Sequence, residues 1–275
     1  MPPVWPGDAS MPAEAFPSYA GSMRGDIDIA SVAEVLADRS RCRMLLALGD
    51  GRALPASRLA AEAGIAASTS SGHLSRLVSA GMLVVEPHGR HRYYRLAGPH
   101  IADLLEAIMQ VAPPLTVRSL REGTNAEALR RARTCYDHLA GRFGVAIMTA
   151  LLGAGALTGG DGTFETSGSE RDRLSSPGWD VAYEVTGTGR DLLSGLGVDC
   201  SPAGRRPFVR YCVDWSEQRH HLAGALGARL LHRFEELGWV QRRAGSRAVN
   251  VTAAGASGLR RTLGLDVSDL VTVTG

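Results

Sequence analysis

Two sets of residues in this chain have side chains fit for chemistry or recognition. The first is a thiol, carboxylate and imidazole set that occurs twice. Cys135-Tyr-Asp137-His138-Leu-Ala-Gly141 is answered by Cys212-Val-Asp214 and, after six further residues, His221-Leu-Ala-Gly224. Thiolates and imidazoles are the soft donors that zinc-like ions select. Cys135, His138, Cys212 and His221 supply four of them, with His220 as a spare. No single segment has finger-like spacing, so such a site has to assemble across both copies. Two other readings stand beside it. In one, the cysteines are small buried hydrophobes, the aspartates cap helices and the histidines bond to backbone. In the other, the copies enclose an organic effector against Trp179, Tyr183, Phe208, Trp215 and Trp239. Cys200 falls outside the repeat and takes no role.

The second set is suited to nucleic acid. Ser68, Thr69, Ser71, Gly72, His73, Ser75 and Arg76 crowd one short segment, and His88, Arg90 and Arg92 follow in a basic one. Short side chains let a helix backbone come close to a DNA groove, and serine and threonine hydroxyls reach phosphates or base edges. His73 and Arg76 are the longer candidates. His73 reads equally well as a packed or phosphate-facing histidine. Arg90, Arg92 and Arg95 suit the sugar-phosphate backbone or the minor groove.

The elements that must position these residues follow from periodicity. Ile29, Val32, Val35 and Leu36 recur at helical spacing, and Leu45, Leu46 and Leu48 continue the pattern until Gly49-Asp50-Gly51 stops it. Residues 56–63 form the first helix of a helix-turn-helix, capped by Ser57, with Gly64 permitting the turn and Ile65 plugging it. Ser68 opens the second helix, whose Leu74, Leu77 and Val78 point inward. Strands over 83–86 and 92–96 pair around Pro87 to His91. Helix, turn, helix and basic hairpin together describe a winged helix-turn-helix, which places one helix in the DNA major groove.

Residues 113–133, with Pro-Pro, Gly and several Arg, read as a connector. Beyond it the chain repeats at more than the cysteines. Val185-Thr186 and Leu196-Gly-Val-Asp199 are answered by Val251-Thr252 and Leu263-Gly-Leu-Asp266. Each unit reads helix, then strand or hairpin, then helix. In the second unit a helix over 226–237 ends at Gly238, strands over 239–241 and 248–251 flank an Arg-rich tip, and Thr252 caps a last helix. The expected fold class is mainly α with small β-wings (α+β): a winged helix-turn-helix followed by two degenerate winged-helix-like repeats. The expected organisation is a flexible arm over 1–25, a DNA-binding and dimerisation domain over 26–112, the connector, and a ligand-sensing or dimer-stabilising domain over 134–275. That last domain holds repeats over 134–200 and 208–268, packed as a pseudo-dimer, with a polar insertion over 158–178.

The first domain resembles the ArsR family of bacterial winged-helix repressors. The resemblance rests on Val35-Leu-Ala-Asp-Arg-Ser-Arg-Cys42-Arg-Met-Leu45, Leu59-Ala60, Ser68-x-x-Ser71-x-His73-Leu74-x-x-Leu77, Ala80-Gly-Met-Leu83 and Gly89-Arg90-x-x-Tyr93-Tyr94-x-Leu96. It implies a homodimer joined through its outer helices, binding at a near-palindrome, and release when an effector binds. Two-fold symmetry would set the recognition helices about 34 Å apart, one turn of DNA. The departures bear on the effector. Metal-sensing members carry paired cysteines on the first helix of the turn, where this chain has Leu54-Pro-Ala-Ser-Arg58. Others carry Asp and His ligands on the last helix, where Pro99-His100-Ile-Ala-Asp103-Leu-Leu-Glu106 offers one histidine. A family-type metal site in this domain is not expected, and Cys42 reads as a small buried hydrophobe.

Composition bounds the rest. A chain of 275 residues allows two domains with sizeable cores. The net charge of +2 is too small to mark a nucleic-acid binder, but between Ser31 and Gly98 nine arginines face five acidic residues. Every one of the 30 basic residues is arginine, whose fork suits phosphates and guanine edges. No apolar run reaches the roughly 20 residues of a membrane span, and the N-terminus lacks the pattern of a secretory signal. Four scattered cysteines favour reduced thiols in the cytoplasm. Absence of a nucleophile elbow, a phosphate loop and a His-Glu-x-x-His argues against an enzyme. The expectation is a cytoplasmic, homodimeric repressor that binds promoter operators in double-stranded DNA. It needs no cofactor to bind DNA and answers to a metal ion or a small organic effector held in its second half.

Overall fold

In the computed structural model, the described residues are 27–88, 91–113, 116, 119–164, 181–202, 206–243 and 246–270. Asp28 and Asp38 cap the first two helices, α1 (Ile29–Leu36) and α2 (Arg39–Ala47), by accepting from the backbone N–H three residues on. After the Gly49-Asp50-Gly51 turn, β1 (Leu54–Pro55) leads into α3 (Ala56–Ala63). Pro55, not Ser57, stands at the N-cap of α3, and no side chain caps it. Ser57 lies inside the first turn, because the chain is still paired as β1 up to Pro55.

Gly64 adopts a left-handed conformation that closes α3, and α4 (Ala67–Ser79) follows at once. Leu74 and Leu77 are buried from α4, as the 3- and 4-residue spacing requires, and meet Met44, Leu45, Leu48, Leu59 and Ala63 in one core. The wing is longer than its pattern indicated. β2 (Leu83–His88) and β3 (His91–Leu96) pair from Leu83 with Leu96 to His88 with His91, and β1 adds a third antiparallel strand beside β3. α5 (Pro99–Val111) closes the domain, with proline in its first turn.

The expected connector is not bare chain. It contains α6 (Leu120–Arg131), capped by Ser119 accepting from the Glu122 N–H. Pro113 follows the end of the preceding helix, but Glu, Ala, Leu and Arg after Ser119 favour starting another.

The second half runs hairpin, helix, hairpin, helix, twice. The first pass is β4 (Arg133–Cys135), β5 (His138–Ala140), α7 (Gly141–Gly153), β6 (Leu157–Thr158), β7 (Glu184–Val185) and α8 (Gly187–Gly195). The second is β8 (Arg210–Val213), β9 (His220–Ala223), α9 (Gly224–Glu236), β10 (Val240–Arg242), β11 (Val249–Val251) and α10 (Ala253–Leu263), followed by a 3-10 turn over Ser268–Leu270. Each pass opens on a hairpin, where the sequence pattern indicated a helix. Strands of three or four residues are too short to show an alternating period beside the apolar helices that follow them.

Thr186 and Thr252 cap α8 and α10 by accepting from Gly189 and Gly255 at 2.9 Å. α7 and α9 share one core, in which Phe143, Ile147 and Met148 meet Leu226, Leu230 and Phe234. The passes interlock. β4 lies beside the second pass, with the Thr134 N–H donating to Arg247 O, and β9 lies beside the first, with the His220 N–H donating to Gly162 O. Of the expected polar insertion, 165–178 lies outside the described residues, as does the N-terminal arm. No described helix is long and apolar enough to cross a membrane.

Candidate functional site

Register brings the repeated thiols and imidazoles together. Cys135 stands directly opposite His138 across β4 and β5, and Cys212 directly opposite His221 across β8 and β9. Opposed residues of an antiparallel pair share a face, with Cβ atoms about 4.5–5.5 Å apart. Of the six extra residues of the second copy, 215–219 fall in the tip between β8 and β9 and His220 opens β9 opposite Val213, which leaves the opposition of Cys212 and His221 intact.

The two hairpins pack through β5 and β9. Their approach depends on two glycines in the first turns of the following helices. A Cβ on Gly227 would stand 3.0 Å from the His138 Cβ and 2.6 Å from the Leu222 carbonyl oxygen. A Cβ on Gly144 would stand 2.4 Å from the Leu139 carbonyl oxygen, on the side facing His221. Each helix thus lies against the other hairpin's histidine, tightly at Gly227, whereas at Gly144 the close limit is the Leu139 carbonyl and the His221 Cβ would stand at 3.6 Å.

The result is a buried Cys2His2 cluster. The donor atoms of Cys135, His138, Cys212 and His221 all lie within 4.8 Å of one another. The imidazoles stack with ring centroids 5.2 Å apart, and their Nε2 atoms face each other at 3.2 Å. On the far side, each Nδ1 faces a carboxylate. His138 Nδ1 is 3.4 Å from Asp137 Oδ1, and His221 Nδ1 is 3.5 Å from Asp214 Oδ2, the latter an ion-pair contact without hydrogen-bond geometry. A carboxylate at Nδ1 holds a proton there and turns Nε2 to the centre of the cluster, where its lone pair serves a metal ion once the imidazole is neutral.

Both carboxylates are themselves anchored. Asp137 takes the Arg206 fork at 2.5 and 2.9 Å. Asp214 pairs with the fully buried Arg133 at 3.0 Å and accepts from the Gly141 N–H at 2.6 Å and from Ser216. Arg133 also lies over the Trp215 ring, 4.5 Å from its centroid.

Charge follows from these contacts. Burial works against ionised Asp214, but the Arg133 charge, with the bonds from the Gly141 N–H and Ser216, outweighs it and holds the carboxyl well below the usual carboxylate range. Burial pushes His221 down to about 3, so this imidazole stays neutral. Burial would also lower His138, but Cys135 and Asp137 raise it to about 10. The Cys135 thiol is driven well above its ordinary value by its hydrogen bond to Cys212 and by burial. Cys135 therefore keeps its proton at neutral pH, and Asp137 is the partner that supports the charge on His138.

The cluster fits a tetrahedral soft metal ion. Zinc bonds of about 2.0–2.1 Å to nitrogen and 2.3 Å to sulfur place two nitrogens roughly 3.3 Å apart and two sulfurs roughly 3.8 Å apart. The 3.2 Å between the Nε2 atoms meets the first separation. A donor set of two thiols and two imidazoles, with no oxygen, selects zinc-like or softer ions over magnesium or calcium.

The DNA-facing candidates form a second surface. Ser68, Thr69, Ser71, Gly72, Ser75 and Arg76 line the exposed side of α4. His73 is half-buried, its Nδ1 3.6 Å from the Asp38 carboxylate that caps α2. That placement is the packed alternative for this residue. Arg92 is exposed on β3, while Arg95 pairs with Glu86 across the hairpin. Arg90 and the His88 side chain lie outside the described residues.

The aromatic residues expected to line an effector pocket do not converge. Tyr183 is buried against Tyr211 and bonds to His220, Phe208 lies under Arg229, Trp215 under Arg133, and Trp239 packs on Phe234. Trp179 lies outside the described residues. Sequence reasoning missed Arg133, Arg206 and Tyr136. A signal for the first was present, since Arg133-Thr-Cys135 is answered by Arg210-Tyr-Cys212. None marked Arg206, which reaches Asp137 from 69 positions away.

Comparison with known proteins places the chain. A helix-turn-helix domain model matches residues 36–86. The uncharacterized HTH-type transcriptional regulator YdfF of Bacillus subtilis (strain 168) is 40% identical over 240 residues, covering 87% of this chain and 99% of that protein. The HTH-type transcriptional regulator CmtR of Mycobacterium tuberculosis (strain ATCC 25618 / H37Rv) is 42% identical over 83 residues, 30% of this chain and 70% of that protein. Among solved structures, the cadmium sensor CmtR of Mycobacterium tuberculosis is 38% identical over 33% of this chain and 94% of its own, with a TM-score of 0.28. The homodimeric winged helix-turn-helix fragment of Mb0332 from Mycobacterium bovis, a possible ArsR-family regulator, is 30% identical over 32% of this chain and 88% of its own, also with a TM-score of 0.28.

Proposed function

The chain belongs to the family of HTH-type transcriptional regulators, with an ArsR-type winged helix-turn-helix, and we propose that it is a homodimeric repressor whose hold on DNA is set by a soft metal ion at Cys135, His138, Cys212 and His221. As a DNA-binding transcriptional regulator it reads its operator with an exposed helix face, and α4 offers the side chains for this. Ser71, Ser75 and Arg76 are the base-edge candidates. Arg92, with Arg90 beside it in sequence, is the phosphate candidate.

The homodimer is supported by apolar surface on the outer helices. Ile27 is 85% exposed and Ile29 74%, at the start of α1, and Val111 is 72% exposed at the end of α5. Two-fold pairing of such faces buries them and spaces two recognition helices for a palindromic operator. A reducing compartment, the cytoplasm, keeps the four free cysteines as thiols. The second half is the sensing domain, built as a duplicated hairpin–helix–hairpin–helix unit whose two copies each give one cysteine and one histidine.

One observation carries the metal assignment: four buried soft donors from two hairpins converge, and both imidazoles present Nε2 to the same point because an aspartate faces each Nδ1. Metal analysis of protein purified without a histidine tag, together with zinc titration against a chromophoric chelator, tests it. The expected result is one tightly held ion per chain and a DNA affinity that falls on loading. No uptake under reducing conditions would retire the assignment and leave the DNA-binding function standing.

A further inference from the structure

We propose that the two-residue turn Tyr136-Asp137 transmits metal occupancy to the DNA-binding domain. This rests on the metal reading above and adds the route of control. Cys135 and His138 are the closing pair of their hairpin, so the turn joins two metal ligands by the shortest available link. Its two residues face opposite ways. Asp137 faces the cluster, where it holds His138 and is held by Arg206. Tyr136 faces the winged helix-turn-helix. Its N–H donates to the Gly49 carbonyl at 2.6 Å, and its ring joins the core of that domain. The ring lies against Gly51, where a Cβ would stand 3.5 Å from it.

Tyr136 holds this contact in a left-handed backbone conformation, φ 57°, which is rare for a bulky side chain. Such a conformation persists where surrounding contacts impose it. Here those contacts are the ligand pair on one side and the Gly49–Gly51 turn on the other. That turn ends α2 and leads through β1 into α3, the first helix of the reading motif. Asp50 within it is buried, pairs with Arg52 at 2.7 Å, and accepts through its carbonyl from Arg242 of β10 at 3.3 Å. A displacement of the turn therefore acts on the joint between α2 and α3, against which α4 is seated.

Metal binding supplies the displacement. Donors that now lie up to 4.8 Å apart must close to the tetrahedral separations, and a turn bonded directly to two of them moves with them. The second hairpin joins its ligands less directly. Its tip is the longer 214–219 loop, and it meets α5 through the Gln110 side-chain amide donating to Val213 O at 3.3 Å and through Arg210, whose charge acts on Asp103.

The test uses the full-length chain, zinc as the probe, and a duplex that the protein itself selects from a random pool. Saturating zinc should change the DNA affinity of the unsubstituted protein by about 5- to 150-fold, the usual span of allosteric coupling. Tyr136→Asn keeps the backbone N–H and tolerates the left-handed conformation, but deletes the ring. It should bind zinc within about twofold of the original affinity while its DNA affinity becomes indifferent to zinc. Tyr136→Phe, which keeps the ring, should retain the full response.

Zinc uptake with an undiminished response in Tyr136→Asn would overturn the route and leave the metal site intact. A parent protein that takes up no zinc would overturn both. Hydrogen exchange on the parent protein serves even if the variant does not fold: zinc should alter protection of the Tyr136 amide and of residues 49–52, and unaltered exchange at both would refute the route.

Discussion

Asp214→Asn is the sharpest probe of how the second half is held together. The side chain is fully buried, as is its partner Arg133, and the two approach to 3.0 Å. Asparagine preserves volume and can still accept from the Gly141 N–H at the start of α7, so packing and the helix start are retained. What is lost is the negative charge between Arg133 and His221. The guanidinium would keep Leu129 O and Ser216 Oγ, each 3.2 Å away, and the Trp215 ring, none of which carries compensating charge. Breaking a buried pair by neutralising one partner costs about 3–5 kcal/mol. Asp214 also faces the His221 Nδ1, and loss of such a supporting carboxylate lowers metal affinity by about 10- to 100-fold.

The assay is urea unfolding of the full chain, in chelator and then in zinc, followed by tryptophan fluorescence, alongside a competition titration for zinc. Arg133→Met in the same background removes the orphaned charge. The double variant should therefore be more stable than Asp214→Asn alone. A loss below about 1 kcal/mol for the single variant, or a double variant that is worse than additive, would refute the argument that this pair, and not burial alone, sustains the hairpins.

Other expectations follow from the same geometry. Arg92→Ala should weaken binding to every duplex and reduce the salt slope by about 1, whereas Arg76→Ala should relax the preference for the selected operator; filter binding across a salt series separates the two, and a sequence-selective effect of Arg92→Ala would count against its phosphate role. Gly227→Ala forces a methyl to within 3.0 Å of the His138 Cβ, so thermal unfolding should show a destabilisation of about 1–3 kcal/mol with weakened zinc binding, and a neutral result would mean that the hairpins can separate freely. Ile108→Asp with Val111→Asp should yield monomers in sedimentation velocity at micromolar concentration while leaving the zinc content unchanged, and an intact dimer would place the interface elsewhere.

The DNA-binding half was legible because its determinants are local. Leu74 and Leu77 at helical spacing, Gly64 in the left-handed turn and the Arg-rich strand pair each report on a few neighbouring residues. The errors there were also local. Ser57 loses the cap position because Pro55 is still held in β1, and Ser119 begins a helix within a segment whose prolines and glycine read as linker. The repeated Cys, Asp and His identities were equally visible, as was the need for a site to draw on both copies.

The sequence alone determined the class of protein and the donor types available for a soft metal. Only the tertiary structure decided that those donors meet. His138 and His221 are 83 positions apart, and no periodicity specifies that β5 lies against β9. That approach depends on two glycines, on a cross-strand register, and on Arg133 and Arg206 anchoring the two aspartates. Tertiary structure also decided that Tyr136 reaches the Gly49–Gly51 turn. A contact of this kind arises from how two separately built cores dock, and sequence pattern describes each core without specifying the surface on which they meet.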